Sequence, residues 1–169
     1  MNNIYGQELL ENMHGLLRLH LLLKDAAERK KAVLIKGDIN ELQSMVEEEA
    51  QLLREISDEE GKRIKVVITI TNAVKGQNTE ALSFDEILPF LSESESQQLK
   101  VAKSELVQVI SQLREINKVN EDLIKVSLNY VEYMINTIAE TGEGIQVYTP
   151  NVQSDEKQTR EGHFINWKA

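Results

Sequence analysis

Few side chains in this sequence stand at spacings that could support chemistry. Glu11 and His14 form one Glu-x-x-His pair, the spacing found in carboxylate-bridged di-iron bundles. Such sites need a second pair and two further carboxylates on facing helices, and the sequence has no second Glu-x-x-His. His20 follows His14 by six residues, about 120° around a helix, so the two cannot share an ion. We therefore interpret Glu11 and His14 as solvated and His20 as a core or interface histidine, and we expect no metal site.

Sequence signatures of catalysis and cofactor binding are also missing. The chain has no cysteine, which excludes thiolate nucleophiles and cysteine-ligated zinc. It contains no Walker loop, G-x-G-x-x-G, G-x-S-x-G or H-E-x-x-H motif. We therefore expect neither an enzyme nor a cofactor.

The charge of the chain points to a protein partner. Its 169 residues carry a formal net charge of -9, with a pI near 4.9. Nucleic acids and anionic lipids are bound by basic surfaces, so neither partner is expected. The first residues lack the basic and apolar regions of a signal peptide, and no stretch reaches the ~18 apolar residues of a membrane span. We expect a cytoplasmic protein.

The pattern of apolar residues predicts an all-α fold. Aromatic residues make up 5% of the chain and proline occurs twice, a composition typical of helical bundles and coiled coils. Apolar residues return every three or four positions in three long stretches. We predict an elongated antiparallel bundle of three long helices plus a short helix around residues 84–91, with residues 1–141 forming the bundle and residues 142–169 a flexible tail.

The helix boundaries carry their own signals. The first helix is expected over residues 4–36, and Gly37, Asp38 and Glu41 then provide a left-handed stop and a capping box for the second. Residues 62–74, RIKVVITITNAV and its flank, are rich in β-branched side chains that favour a strand. No second strand is available to pair with them, so we assign them to the second half of helix two.

The long helix predicted over residues 94–141 has an apolar stripe that turns polar midway. Asn120 and Ser127 lie on the same face as Leu106 and Leu113, and Asn117 precedes Asn120 by three residues. A polar residue in an apolar seam can fix the helix register, and spacing alone favours this interpretation. The other interpretation is an open groove in which a partner helix adds hydrogen bonds.

Two segments resemble the FlgN family of flagellar type III export chaperones. The first is LLLKDAAERKKAVLIKGDINELQSMVEEEAQLL, in which a leucine-rich helix ends in lysines and a Gly-Asp break. The second is INKVNEDLIKVSLNYVEYMINTI, in which Asn117 and Asn120 precede Leu123 and Ile124. The resemblance implies a small, acidic, cytoplasmic helical protein that acts as a chaperone and not as an enzyme.

The resemblance also implies partners and sites. FlgN-type chaperones bind the hook-associated proteins FlgK and FlgL through the C-terminal helical segments of this cargo, which keeps the cargo soluble and unassembled. The family's cargo-binding region maps onto the long helix, with these candidate residues: Ile110, Leu113, Asn117, Asn120, Ile124, Leu128 and Val131. Family members dock loaded cargo on the cytoplasmic domain of the export gate through a tyrosine in the tail. The matching residue is Tyr148, and the terminal FINWKA segment is a second candidate.

Other functions stay open on the sequence alone. A structural coiled-coil or adaptor protein could use the long C-terminal helix to self-associate, so a homodimer is one expected alternative. A chaperone for filament or cap protein would show the same apolar periodicity, which does not distinguish one helical cargo from another.

Overall fold

The computed structural model describes residues 4–77 and 80–140, and every regular element within them is helical. Three long helices dominate, as predicted. The elements in chain order are α1 (Ile4–Lys36), α2 (Ile39–Lys75), α3 (Phe84–Ile87), a 3-10 turn (Leu88–Phe90) and α4 (Glu93–Glu140). These bounds confirm the all-α fold class, whereas the predicted tail at residues 142–169 lies outside the described residues.

The break between α1 and α2 forms from the residues that the sequence indicated. Gly37 has φ of 73° and donates its N–H to Val33 O at 2.9 Å, which closes the last turn of α1. Asp38 caps α2, because its carboxylate accepts the N–H of Glu41 at 3.1 Å. This bond, with help from Lys36, lowers the pKa of Asp38. The other half of the predicted capping box does not form, because the Asp38 N–H donates to Val33 O at 3.4 Å and the carboxylate of Glu41 lies 3.7 Å from the ammonium of Lys36.

The β-branched segment is helical, as assigned, and burial explains why. Val66, Val67 and Ile70 are buried in the core, so their packing outweighs the intrinsic strand preference of such side chains. Thr71 is also buried, donates to Val67 O at 2.8 Å and accepts the N–H of Leu82 at 3.0 Å. The threonine thereby fastens the segment after α2 to the end of that helix.

Contacts along α1 fix the directions of its two neighbours. Lys30 pairs with Glu49 at 2.6 Å, and Asn12 donates to Glu59 at 3.1 Å, so α1 and α2 run antiparallel. The last turns of α2 therefore lie beside the beginning of α1, and α3 stays at that end, since Ile70 and Ile87 share a cluster with Leu9. Near that end Gly6 lies beside the Glu95 carboxylate, and towards the other end Asn120 contacts Ala27, so α4 runs parallel to α1 and antiparallel to α2.

The core consists of two apolar clusters shared by the long helices. One lies near the start of α1 and includes residues of the segment between α2 and α4. The other lies further along α1. The buried members of the first are Leu9, Met13, Val66, Val67, Ile70, Leu82, Ile87, Leu99 and Ala102, and those of the second are Leu19, Leu23, Ala26, Ala27, Leu52 and Leu113.

Two glycines on α1 make room for carboxylates. A Cβ atom on Gly6 would lie 2.5 Å from the Glu95 carboxylate, and one on Gly15 would lie 2.8 Å from that of Glu59. Glu59 accepts hydrogen bonds from Lys62 and Asn12, which lower its pKa. A Cβ atom at either glycine would therefore require the neighbouring glutamate side chain to move.

One buried amide joins α4 to α1. Asn120 is 2% exposed, and its Nδ2 donates to Ala27 O at 2.9 Å. Its Oδ1 is buried without a partner among the described atoms. This hydrogen bond fixes the register of α4 against α1 through two residues that are 93 positions apart in the chain. It also leaves the side-chain oxygen of Asn120 without a hydrogen-bond donor, which costs stability.

The chain divides into two units after Val131. All the contacts above belong to the first unit. In the second, the described residues 132–140 are the last segment of α4. The predicted domain boundary at Thr141 stays a prediction, since the residues beyond it are not described.

Leu99 provides a test of the core. It is 0% exposed, whereas Leu22 on α1 is 49% exposed. A leucine-to-alanine substitution at both sites changes helix propensity equally, so any difference in stability between the two variants reports the effect of burial. We expect Leu99→Ala to lower the free energy of unfolding by about 2–5 kcal/mol. Leu22→Ala should change it by about 0.5 kcal/mol or less. Urea denaturation followed by circular dichroism measures both, and equal losses would contradict the described core.

Asn120 provides a second test. Asn120→Leu removes one hydrogen bond worth about 1 kcal/mol but also removes an unpaired buried oxygen that costs about 1–3 kcal/mol. We expect the free energy of unfolding to stay equal or to rise by up to about 2 kcal/mol. Asn117→Leu, at an exposed position one turn earlier, is the matched control and should change little. A clear loss of stability in Asn120→Leu alone would mean that Oδ1 has a partner, such as a buried water.

Candidate functional site

The face of α4 that forms the core continues past the region where it is covered. Up to Asn120 this face is packed against the other helices, and Leu123 is half-buried. Every described side chain from 124 to 139 is exposed. The spacing of apolar residues is the same before and after Leu123. The apolar face that packs in the core before this residue is therefore exposed to solvent after it.

Three predicted residues form this surface within the first unit. Ile124, Leu128 and Val131 are 39%, 63% and 52% exposed, respectively. Their spacing of four and three residues places them within about 60° of one another on the helix, on the same side as the buried Leu113. We call these three residues the exposed stripe.

The described part of the second unit has exposed apolar residues of its own. Met134, Ile135 and Ile138 are exposed, again at helical spacing. They are not among the predicted cargo-binding residues, although the apolar periodicity of the long helix includes Met134 and Ile138.

The other predicted cargo-binding residues lie in different surroundings. Leu113 and Asn120 are buried in the core, because α1 and α2 extend far enough to cover them. Asn117 is exposed. Ile110 is half-buried and lines a separate groove of about 420 Å³. The structure therefore groups three of the seven residues into one surface, and Tyr148 lies outside the described residues.

The groove at Ile110 lies between α2 and α4. Its apolar lining comes from all three long helices and from α3: Met13, Leu16, Ile56, Phe84, Leu106 and Ile110. Charged side chains at its rim already have partners, since Arg63 binds Glu60 at 2.5 Å and Lys103 lies 4.2 Å from the centre of the Phe84 ring. The groove is thus apolar inside, with its charges satisfied.

A network of charges lies beside the exposed stripe on α4. Glu121 binds Lys125 and lies 3.8 Å from Lys118, and Lys118 also reaches Asp122 at 3.2 Å. The hydrogen bond from Lys125, followed by the charge of Lys118, lowers the pKa of Glu121, and the same bond raises the pKa of Lys125. These groups are fully solvated, so they define a polar border for the stripe and add little stability.

The residues considered first for chemistry are exposed or contact the backbone of their own helix. Glu11 and His14 are exposed, and the Nδ1 of His20 lies 2.8 Å from the carbonyl oxygen of Leu16. Among residues 4–77 and 80–140, no group of three or more His, Asp or Glu side chains could hold a metal. No helix in the same ranges is long and apolar enough to cross a membrane.

Comparisons with known proteins agree with the resemblance seen in the sequence. The family model described as FlgN protein matches residues 1–156. The uncharacterized protein YvyG of Bacillus subtilis (strain 168) is 27% identical over 126 residues, which cover 75% of this chain and 76% of that protein. No solved structure gives a significant match. Because the family match spans nearly the whole sequence, this chain belongs to the FlgN family of flagellar export chaperones.

Proposed function

We propose that the protein is a cytoplasmic chaperone that binds the C-terminal helical segments of the hook-associated proteins FlgK and FlgL and delivers them to the export gate. The observation that carries this proposal is the exposed stripe of Ile124, Leu128 and Val131, which continues a core face into solvent. Membership of the FlgN family supports the chaperone role itself.

The stripe suits an amphipathic helix as its ligand. Such a helix lays its apolar side on an apolar surface, with anchors one turn apart, and this matches the spacing of the three side chains. Burying a Leu, Ile or Val side chain contributes about 1.5–3 kcal/mol, and part of this sum offsets the ordering of an unfolded cargo segment. The exposed Asn117 is placed to add a polar contact at the edge of the site.

The location of the stripe fits the task of a chaperone. The core holds α4 up to Asn120, so the fold does not depend on the side chains that follow. Cargo can therefore bind and leave without unfolding the first unit. Helical cargo with an uncovered apolar face would otherwise self-associate, and covering that face prevents this.

A double substitution tests the cargo site. Leu128→Glu with Val131→Glu should abolish binding to a synthetic peptide of the FlgK C-terminal segment, because two carboxylates would have to be buried against its apolar face. Val126→Glu is the matched control, since Val126 is exposed on the opposite side of the same helix turns. Titration calorimetry should show one-to-one binding for the wild type and control only.

The helical content of each variant is checked by circular dichroism. Because all three positions are exposed, we expect the free energy of unfolding to change by about 0.5 kcal/mol or less. Unchanged peptide affinity in the double variant would remove the exposed stripe as the cargo site. Equal loss in the control would mean that binding is not confined to that face.

We propose, from the family resemblance, that Tyr148 contacts the cytoplasmic domain of the export gate. An aromatic side chain in a segment that becomes ordered on binding often contributes a large share of the affinity. Tyr148→Ala should reduce secretion of hook-associated protein several-fold while peptide binding stays intact. Tyr148→Phe, which keeps the ring, should retain most secretion. Normal secretion in Tyr148→Ala would refute this role and direct attention to the terminal FINWKA segment.

Self-association through α4 is the second candidate function, because the exposed stripe would equally suit a second copy of the same helix. Measurement of molar mass with and without the FlgK peptide separates the two. A homodimer that the double variant at Leu128 and Val131 dissociates, and that cargo peptide leaves intact, would favour the adaptor.

A further inference from the structure

A second apolar surface runs along the outer side of α2, well separated in sequence from the exposed stripe. Nine positions, spaced three or four residues apart from 39 to 68, lie within about 80° on the helix and carry no charge. They are Ile39, Gln43, Val46, Ala50, Leu53, Ser57, Gly61, Ile64 and Ile68, and we call them the α2 seam. Its large side chains are among the exposed hydrophobic residues of the protein.

Gly61 in this seam has no explanation within the chain. It lies in the middle of a 37-residue helix, where glycine costs roughly 0.5–1 kcal/mol relative to alanine. A Cβ atom added there meets nothing within 4 Å, in contrast to Gly6 and Gly15, which make room for carboxylates. The open space above Gly61 would suit the close approach of another helix.

The charges beside the seam are arranged symmetrically. Along one flank stand Glu47, Arg54, Asp58 and Lys65. Glu47 and Lys65 lie nine residues on either side of position 56, and Arg54 and Asp58 lie two residues on either side of it. In an antiparallel pair of identical helices related by a twofold axis at that position, each negative group faces a positive one.

The seam residues pair about an axis at positions 55 to 55.5, within one position of the axis of the charged groups, so facing residues differ by one or two positions between the two registers. Val46 would face Ile64, Ala50 would face Gly61, and Leu53 would face Ser57. Large side chains thus alternate with small ones, as close helix packing requires. On the other flank Glu49 and Glu60 already pair with Lys30 and Arg63 inside the chain, so they need no partner.

From these observations we propose that the α2 seam binds the α2 seam of a second copy, as an antiparallel homodimer with its twofold axis near position 56. This interface is independent of the proposed cargo site, because it uses no residue of α4. Neither Glu47 nor Lys65 forms an ion pair in the described part of the chain, so both are available to the partner.

A charge reversal tests the register. Glu47→Lys and Lys65→Glu should each raise the dissociation constant of the dimer about tenfold, since each places like charges together at two symmetric points. The double variant restores opposite charges and should return the constant to within about threefold of the wild type. Sedimentation equilibrium of the full chain provides the constants, and Glu115→Lys on α4 is the control for net charge.

Cysteine cross-linking tests the direction of the helices. The natural chain has no cysteine, so introduced thiols react without background. The variant with both Ala50→Cys and Gly61→Cys should form a covalent dimer under mild oxidation, because the two positions face each other. Either substitution alone should not, since equivalent residues would be about 16 Å apart along the axis, beyond disulfide reach.

Two results would overturn the proposal. One is a monomer at every concentration up to several hundred micromolar. The other is rapid cross-linking of the single Ala50→Cys variant, which would indicate parallel helices. The Gly61→Gln variant tests the packing at the interface. It should keep the helical content of the wild type but should not dimerise. A Gly61→Gln dimer of wild-type affinity would also contradict the proposed interface.

Discussion

The packing of α4 against α1 is the constraint on which the rest of the structure depends. The apolar face of α4 keeps one period over its whole length, but only the part up to Leu123 is covered. Leu99 and Leu113 anchor the covered part in the two apolar clusters, and the hydrogen bond from Asn120 to Ala27 sets its register. Because side chains on one helix face point the same way, this register also decides which residues remain for a partner.

Much of the fold could be predicted because its signals are short-range. The stop at Gly37 and the cap at Asp38 depend on neighbours within four residues, and both appear in the structure as expected. The segment around Val66 and Ile70 is the exception, since its local preference is for a strand. It was assigned correctly only because a lone strand would leave backbone groups unpaired, a constraint that acts on the whole chain.

The candidate site was less predictable because it depends on contacts between distant parts of the chain. Spacing favours a register-fixing role for Asn120, and the structure agrees, because the carbonyl of Ala27 provides a buried partner for its amide. Leu113 and Ile124 are both predicted to bind cargo, yet Leu113 is covered and Ile124 is exposed, and this difference depends on how far α1 and α2 extend along α4. The sequence also could not show that Gly61 faces open space, whereas Gly6 and Gly15 lie close to glutamate side chains, because this difference depends on the packing of the helices.

The two apolar surfaces have side chains suited to different partners. The α2 seam contains Ala50, Ser57 and Gly61, and small residues of this kind fit a fixed, complementary backbone, as an identical copy provides. The exposed stripe on α4, which we propose binds cargo, has only larger side chains, those of Ile124, Leu128 and Val131. Pairing through α2 would leave the exposed stripe of each protomer outside the interface. Two stripes in one particle would raise the local concentration of binding sites, so cargo released from one could be recaptured by the other before it aggregates.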